Sequence, residues 1–308
     1  MHNSNNLRIR VNAIVTNQMI MAIFALILGV IAIGFVAILV RLSSMGPYAI
    51  GFWRLTLALP LLIAISFLPG CKSPLPFSLE QRLFWKDYLP VIIAGILFGI
   101  DLAVWHLSIE YTSIANATVL SNLSPVIVGL FGWLVLKHPV NLKMIIGLMI
   151  AFLGIFILFN PCFTANDLSM WGNIYGIVTA LIYAVYLLLI IQIRKKMDTM
   201  KIMIAVSISG AVTLWLLSYL LHHSLLITSL NEFTILFCMA LLSQVIGQSL
   251  ITYAFAHLPP VFTASVLLIG PIISMIAAWI LFSEALSLLQ MVAIAIALLG
   301  VYLTKSMV

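Results

Sequence analysis

Residues 123–136 read LSPVIVGLFGWLVL, and an altered copy, IGPIISMIAAWILF, follows at 269–282, 146 positions later. The same offset aligns LKMIIGLMIAFLG at 142–154 with LLQMVAIAIALLG at 288–300, so one ungapped register joins two apolar segments. Internal duplication of an apolar unit is typical of polytopic membrane transporters, whose binding sites lie between the repeats. The sequence therefore predicts two copies of one membrane unit.

The composition is that of an integral membrane protein. Hydrophobic residues make up 64% of the 308 residues, charged residues only 7%, and the mean hydropathy is +1.24, which excludes a soluble globular domain. Because a spanning helix needs about 20 apolar residues, we predict an all-α fold with ten transmembrane helices. The predicted spans are approximately 19–40, 47–68, 90–110, 115–136, 142–159, 170–193, 202–222, 233–256, 261–282 and 286–304.

The basic residues predict the orientation of these helices. With the N-terminus inside, twelve of the 14 Lys and Arg residues fall in cytoplasmic segments. The other two, Arg41 and Arg54, lie at the outer end of the first span and within the second. This is the positive-inside bias, so both termini are predicted to be cytoplasmic in the plasma (bacterial inner) membrane. The pI of about 9.3 then reflects topology and not a nucleic-acid partner.

Five spans in each copy require the two copies to cross the membrane in opposite senses, because five is an odd number. We therefore predict two inverted five-helix repeats, residues 1–160 and 161–308, within one membrane unit. The pseudo-two-fold axis of such repeats lies in the membrane plane, and a substrate site tends to lie near it.

Three stretches resemble a known family. They are GPYAIGFWRLTLAL at 46–59, YTSIANATVLSNLSPVIVGLFGWLVL at 111–136 and LPPVFTASVLLIGPIISMIAAWILFSEALSLLQ at 258–290. With them the chain resembles, over nearly its whole length, the EamA-type ten-helix transporters of the drug/metabolite transporter superfamily. The resemblance implies transport of small metabolites. This family usually has an acidic residue after both the fourth and the ninth helix, whereas this chain has Glu284 after the ninth and His138 after the fourth.

Two matched prolines, Pro125 and Pro271, lie near the middle of the fourth and ninth spans. Each removes an amide donor and clashes with the preceding turn, which frees a carbonyl group that hydrocarbon cannot satisfy. Packing kinks would be the simplest explanation. Their duplication, and the presence of Asn122 just before Pro125, favour kinks that face a cavity and act as hinges.

Asp101 is the acidic residue nearest the membrane centre. Counted from Pro90, it lies about 16 Å into the third span at 1.5 Å per residue. A carboxylate there must face the protein interior, as a proton-coupling group, a substrate-binding group or a structural acid that fixes helix packing. Trp105 lies one turn further on the same face. Arg54 could reach the outer surface, bind a carboxylate-bearing substrate or pair with Asp101.

Several polar side chains of the second copy complete the predicted cavity. Gln244 and Gln248 lie one turn apart in the eighth span, where glutamine is costly in lipid, so this face either lines a cavity or bonds across helices. Three tyrosines could stack on a substrate or simply pack. The predicted substrate-cavity residues are Arg54, Asp101, Trp105, Asn122, Tyr183, Tyr186, Gln244, Gln248 and Tyr253.

The fifth and tenth spans carry a matched stripe of small residues. Its members are Gly147, Ala151 and Gly154 in one span and Ala293, Ala297 and Gly300 in the other. Spacings of four and three place each triplet on one helix face, where two backbones can approach closely. We therefore expect these spans to be scaffold or homodimer helices, with spans one to four and six to nine around a central cavity.

The function that the sequence favours is secondary transport of a small polar metabolite by alternating access, an amino acid or related amphipathic compound being one candidate. No G-x-x-x-x-G-K motif occurs, so a proton gradient or the solute's own gradient is the expected driving force. A membrane scaffold or sensor and a membrane-embedded enzyme are the alternatives. The expected partners are the metabolite, the lipid bilayer and, through the small-residue stripe, a second copy; no cofactor or metal is predicted.

The predicted topology can be tested with reporter fusions. A reporter fused after Asp167 should behave as external and one fused after Lys196 as internal, because one span separates them and the basic cluster lies inside. Alkaline phosphatase activity and green fluorescence measure the two locations. Reversed signals at both sites would contradict the orientation, and identical signals would remove the span between them.

Overall fold

The structure is a computed structural model that describes residues 2–68, 85–112, 114–134, 141–159, 167–282 and 287–305. Within these ranges the chain forms fourteen α-helical segments and one π-helical segment. Two residues of the family pattern, His138 and Glu284, lie outside the described residues.

Several spans are built from two half-helices. In chain order the helices are α1 (His2–Leu42), α2 (Pro47–Thr56), α3 (Ala58–Ser66), α4 (Trp85–Tyr111), α5 (Ile114–Ser121), α6 (Ser124–Leu134), α7 (Leu142–Phe159), α8 (Asp167–Ile193), α9 (Thr199–Leu220), α10 (Leu230–Met239), the π-helix (Ala240–Gln248), α11 (Ser249–Ala254), α12 (Pro260–Leu267), α13 (Ile269–Phe282) and α14 (Leu288–Thr304).

Eight helical stretches of the described residues are long and apolar enough to cross a membrane. They are Asn17–Leu42, Pro47–Ser66, Tyr88–Tyr111, Leu142–Phe159, Ser169–Ile193, Thr199–Leu220, Leu230–Ala254 and Pro260–Leu281. The predicted fourth and tenth spans correspond to shorter apolar helices, Asn116–Phe131 and Leu288–Thr304. The latter has 17 residues and reaches about 26 Å, less than the roughly 30 Å of a hydrocarbon core. An all-α, polytopic membrane protein is thereby confirmed.

Polar and apolar side chains are distributed as a bilayer requires. Large apolar side chains such as Phe24, Trp215 and Leu298 are exposed on the outside of the bundle. Charged and amide side chains such as Asp101 and Gln244 are buried within it. Since hydrocarbon offers no hydrogen-bond partners, this arrangement places the polar groups where other protein groups or a cavity can meet them.

The small-residue stripe brings α7 and α14 into backbone contact. Ala151, Ala293 and Ala297 are completely buried there. A Cβ atom added to Gly300 would lie 2.2 Å from the amide nitrogen of Ala151, and one added to Gly154 would lie 2.4 Å from that of Ala297. The stripe is therefore used within the chain, between these two helices, and not on an outer face.

The other helices surround a central space. α4 packs against α8 and α9, while α1 packs against the π-helix, α11 and α13. The α5–α6 pair packs against α8, and α6 also packs against α12. The α7–α14 pair lies to one side and contacts the rest of the bundle chiefly through α5, α6 and α12.

Two of the half-helix pairs are interrupted next to the matched prolines. α5 ends at Ser121 and α6 begins at Ser124, so that Pro125 lies in the first turn after the break. Pro271 lies likewise in the first turn of α13, after the break at Leu268. In a first turn the missing proline N–H has no helical partner to lose. Ser124 Oγ donates a 2.9 Å hydrogen bond to the Ser121 carbonyl, the group that residue 125 would otherwise have bonded.

The α7–α14 contact predicts a position-specific effect of one methyl group. Gly300→Ala should lower the free energy of unfolding by about 1–3 kcal/mol, because the new Cβ would overlap backbone atoms of α7. Gly46→Ala is the matched control, since a Cβ there meets nothing within 4 Å. Thermal unfolding of the two variants in detergent measures the difference. Equal melting temperatures would contradict the close backbone contact.

Candidate functional site

A cavity of about 480 Å³ occupies the centre of the bundle. Its walls come from α1, α2, α4, the α5–α6 pair, α8, the π-helix, α11 and the α12–α13 pair, with Phe159 at the end of α7. This volume lies within the roughly 300–1,000 Å³ of small-molecule sites. Both halves of the chain therefore contribute to one pocket large enough for a metabolite.

Most of the residues predicted for a cavity line this one. They are Arg54, Asp101, Trp105, Asn122, Tyr183 and Gln248, together with the two prolines Pro125 and Pro271. The remaining three predicted residues, Tyr186, Gln244 and Tyr253, do not line it. Tyr186 is completely buried, and Tyr253 packs against the ring of His257 with 4.5 Å between the ring centroids.

The two glutamines of the eighth predicted span have different partners. Gln244 Nε2 donates a 3.0 Å hydrogen bond to Ser207 Oγ and so joins the π-helix to α9. Gln248 faces the cavity and donates from Nε2 to the hydroxyl of Tyr183 at 3.1 Å. Thus one glutamine bonds across helices without lining the cavity, and the other both bonds across helices and lines it.

The π-helix that carries both glutamines has no counterpart in the sequence predictions. It spans Ala240–Gln248, and Ser249 Oγ bonds the Gln244 carbonyl, five residues back, at 3.2 Å. π-Helical turns are rare in proteins, and those that occur are often found at functional sites. An apolar sequence gives no signal for this register, which occurs where the segment packs against α1, α2 and α3.

Arg54 and Asp101 bring opposite charges into the same cavity. Arg54 is 8% exposed and Asp101 is 6% exposed. The Arg54 Cζ atom lies 5.7 Å from the centroid of the Phe98 ring, which is a cation–π distance. Phe98 and Asp101 are three residues apart on α4 and therefore share a face. The guanidinium and carboxyl groups therefore face the same cavity.

Hydrogen bonding around these two charges is incomplete. Among the described residues, Arg54 Nε and Asp101 Oδ1 are buried and have no hydrogen-bond partner. The same holds for Thr179 Oγ1 and Gln248 Oε1, which also belong to cavity-lining residues. A buried polar group without a partner costs roughly 1–3 kcal/mol, and more when it is charged. The arrangement can therefore bind a solute that supplies the complementary donors and acceptors.

Arg54 lies against a stack of three aromatic rings. Phe98 stacks on Tyr186 with 4.8 Å between centroids, and Tyr186 stacks on Tyr183 at 5.6 Å. Tyr183 then accepts the hydrogen bond of Gln248. The stack therefore connects Arg54 on α2 to Gln248 at the end of the π-helix. Phe98 could not be identified from the sequence, because a phenylalanine in an apolar span carries no distinguishing signal.

The α5–α6 break forms a polar section of the cavity wall. Asn122 Nδ2 and Ser121 Oγ both donate to the Thr118 carbonyl, at 2.7 Å and 3.0 Å. On the opposite wall, Ser274 Oγ donates to the Gly34 carbonyl at 2.6 Å and joins α13 to α1. These side chains satisfy backbone groups while lining the cavity, which permits irregular backbone at membrane depth.

The cavity reaches one end of the bundle. On one side of the proline breaks, α6 packs directly against α12. On the other side the cavity continues between α5 and α13 to the exposed Arg41, at the end of α1, and to Phe159. The cavity therefore extends towards the end of the bundle at which α1 and α7 terminate.

At this end of the bundle a buried carboxylate joins α10 to the turn between α1 and α2 by hydrogen bonds. Glu232, at the start of α10, accepts hydrogen bonds from the Ser43 hydroxyl and from the hydroxyl and backbone N–H of Ser44, the latter two at 2.9 Å and 3.2 Å. It is only 3% exposed. Sequence reasoning missed this link between the α1–α2 turn and α10, because an acid at a helix start is normally solvated.

The sequence profile of the EamA-like transporter family matches residues 19–160 and again residues 170–306. The chain belongs to the EamA-like transporter family. The resemblance inferred from the sequence is therefore confirmed, and the chain is a membrane transporter with a small-molecule substrate.

Relatives agree with this assignment, and a solved structure shares the fold. The EamA-like chain is 26% identical over 282 residues to an uncharacterized transporter of Archaeoglobus fulgidus, covering 88% of this chain and 93% of the relative. It is 23% identical to the pseudopaline exporter CntI of Pseudomonas aeruginosa, covering 70% and 75% of the two chains. A protein of known crystal structure shares the fold with a TM-score of 0.75, at 15% identity over 94% of this chain and 97% of that one.

Cysteine labelling should distinguish the cavity wall from the α7–α14 contact. In a variant without native cysteines, Asn122→Cys and Ser274→Cys should react with a water-soluble thiol reagent, because both positions line the cavity. Ala151→Cys and Ala297→Cys, which are completely buried between α7 and α14, should not react. Mass spectrometry of the labelled protein measures the extent. Labelling at positions 151 and 297, with none at 122 and 274, would reverse the assignment.

Proposed function

We propose that this EamA-like chain is a secondary transporter that moves small polar metabolites across the plasma membrane by alternating access. The observation that carries the proposal is the pair of opposite charges, Arg54 and Asp101, in one central cavity of an otherwise apolar bundle. Charged groups at membrane depth are costly and usually mark a substrate or ion pathway. Family membership and the transporter names of the relatives favour transport over catalysis or a passive scaffold.

We propose further that residues 1–160 and 161–308 are inverted five-helix repeats with ten spans and cytoplasmic termini. Three features support this. The breaks at 122–123 and at 268 obey the offset of 146 residues seen in the sequence. α7 packs against α14, its counterpart at that offset. The contacts of α4 with α8 and α9 are matched by the contacts that the π-helix makes with α1 and α2.

The same offset suggests how access alternates. It pairs α5 with α12 and α6 with α13, so the observed α6–α12 contact has an equivalent, a contact between α5 and α13. In the proposed second state α5 and α13 approach one another and α6 separates from α12. The cavity would then extend to the other end of the bundle. Breaks beside Pro125 and Pro271 would serve as the hinges of this movement.

The substrate is proposed to occupy the space beside Arg54, Asp101 and Gln248. One relative is named an exporter of pseudopaline, which agrees with a small solute as cargo. Asp101 is proposed to couple transport to a proton gradient, because it brings an acidic group to the cavity centre. A carboxyl group that loses its proton when it pairs with a cation, and regains it afterwards, would link the two movements.

Replacement of Asp101 tests this coupling. Asp101→Asn keeps the size of the side chain and fixes its charge at zero. The variant in proteoliposomes should still exchange solutes taken from a metabolite extract, but accumulation driven by a pH gradient should fall at least tenfold. Mass spectrometry of the trapped solutes measures both. Glu110→Gln is the control, because Glu110 is an exposed acid on the same helix. Full gradient-driven accumulation by Asp101→Asn would remove Asp101 from the coupling mechanism.

A further inference from the structure

We propose that the turn between α8 and α9 binds the phosphate of an anionic phospholipid, whose acyl chains lie along the outer face of α4. This site is separate from the central cavity and does not depend on which solute is transported. The charge of the turn, its ordered backbone and the apolar surface beside it together describe such a ligand.

The turn concentrates positive charge where two apolar helices meet the membrane surface. Residues 194–201 contain four basic residues and one acidic residue. The candidate spans Ser169–Ile193 and Thr199–Leu220 lie on either side of the turn, which places it at the level of lipid headgroups. Lys195 and Lys196 are exposed there. Basic residues directly beside a membrane span attract anionic headgroups.

Hydrogen bonds and burial give this turn an ordered backbone. Arg194 Nη1 donates to the Met197 carbonyl at 2.5 Å. The backbone N–H groups of Lys196 and Met197 both donate to the Ile193 carbonyl, at 2.9 Å and 3.0 Å. The Met197 side chain is 1% exposed and belongs to the apolar core. Because the backbone that carries the exposed lysines is already ordered, binding of a phosphate does not have to pay for ordering it.

The beginning of α4 lies beside this turn. α4 packs against both of the helices that the turn joins, α8 and α9. Along the contact with α9, Gly95 approaches Val206 and Gly99 approaches Gly210, so α4 and α9 run in the same direction. The first residues of the two helices are therefore at the same end of the bundle, where the turn connects α8 to α9.

The side of α4 that faces away from the cavity offers an apolar surface for acyl chains. Its exposed side chains recur every three or four positions and so form one stripe, which consists of Leu89, Ile92, Ile93 and Ile96. Tyr88 is exposed at the beginning of the stripe, a position typical of aromatic residues at a membrane surface. The opposite side of α4 carries Phe98 and Asp101, which line the cavity. A lipid on the stripe would thus contact the helix that holds Asp101.

An anionic phospholipid matches both features of this surface. A soluble phosphate would meet the lysines but would leave the apolar stripe uncovered. A zwitterionic phospholipid would cover the stripe, but its headgroup has no net charge to complement the basic turn. In the orientation proposed above the turn is cytoplasmic, and anionic lipids give that face of the membrane its negative surface potential.

Two lipids that differ only in their headgroups test the proposal on the unaltered full chain. The probe is phosphatidylglycerol, and native mass spectrometry of the protein in detergent counts the bound lipids. Phosphatidylglycerol should be retained at least fivefold more than phosphatidylcholine with the same acyl chains. Glycerophosphoglycerol, the same headgroup without acyl chains, should not bind. Equal retention of the two lipids would overturn the proposal, and binding of glycerophosphoglycerol would overturn it in favour of a site for soluble phosphates.

Two double variants determine whether the lipid binds at the turn. Lys195→Gln combined with Lys196→Gln should retain at least fivefold less phosphatidylglycerol and should melt at an unchanged temperature, because both side chains are exposed. Lys143→Gln combined with Lys305→Gln is the matched control, since it removes two exposed lysines from the same predicted side of the membrane. This control should bind as the unaltered protein does.

Two results with these variants would overturn the proposal. Unchanged phosphatidylglycerol retention by the variant of the turn would remove the lysines from the site. An equal loss in both double variants would show that the lipid responds to net charge alone and not to this turn. If the variant of the turn does not fold, the comparison of the two lipids on the unaltered protein decides.

Discussion

Hydrocarbon supplies no hydrogen-bond partners, and this constraint decides where every polar group of the bundle lies. A helix pairs its backbone N–H and C=O groups with one another. A break in a helix is therefore tolerated only where side chains replace the lost hydrogen bonds. At the α5–α6 break, Asn122, Ser121 and Ser124 bond the exposed carbonyls and also line the cavity. The irregular backbone and the polar cavity therefore depend on each other. Neither could exist in contact with lipid.

The bundle contains a tightly packed part, the α7–α14 pair, and a part whose conformation can change, the broken helix pairs. α7 and α14 touch through backbone atoms at Gly147, Gly154 and Gly300, where even a methyl group would overlap. Close contacts of this kind have few alternative packings. The broken pairs α5–α6 and α12–α13 meet at the α6–α12 contact, beside the cavity. A movement that separates α6 from α12 would thus use the broken pairs and leave the α7–α14 pair intact.

The chemistry of the cavity follows from the support of Arg54. The guanidinium lies over Phe98, and Asp101, one turn along the same helix, keeps an oxygen without a partner among the described residues. Stacking on Tyr186 and Tyr183 keeps the ring in place. Both side chains thus keep polar atoms without partners among the described residues, and a solute can bind them.

The sequence by itself determined the membrane character, the family, the duplicated register and the residue types that must avoid lipid, because hydropathy and transfer cost depend on composition and spacing alone. It also identified Arg54, Asp101 and Gln248 as cavity residues, since amides and charges at membrane depth are rare. The tertiary structure alone decided which polar side chains reach the cavity. Gln244 and Tyr186 are as polar as Gln248 and Tyr183, yet they do not line it. It also decided the role of Phe98, the π-helical register and the buried Glu232, because each of these depends on contacts between helices that are distant in the chain.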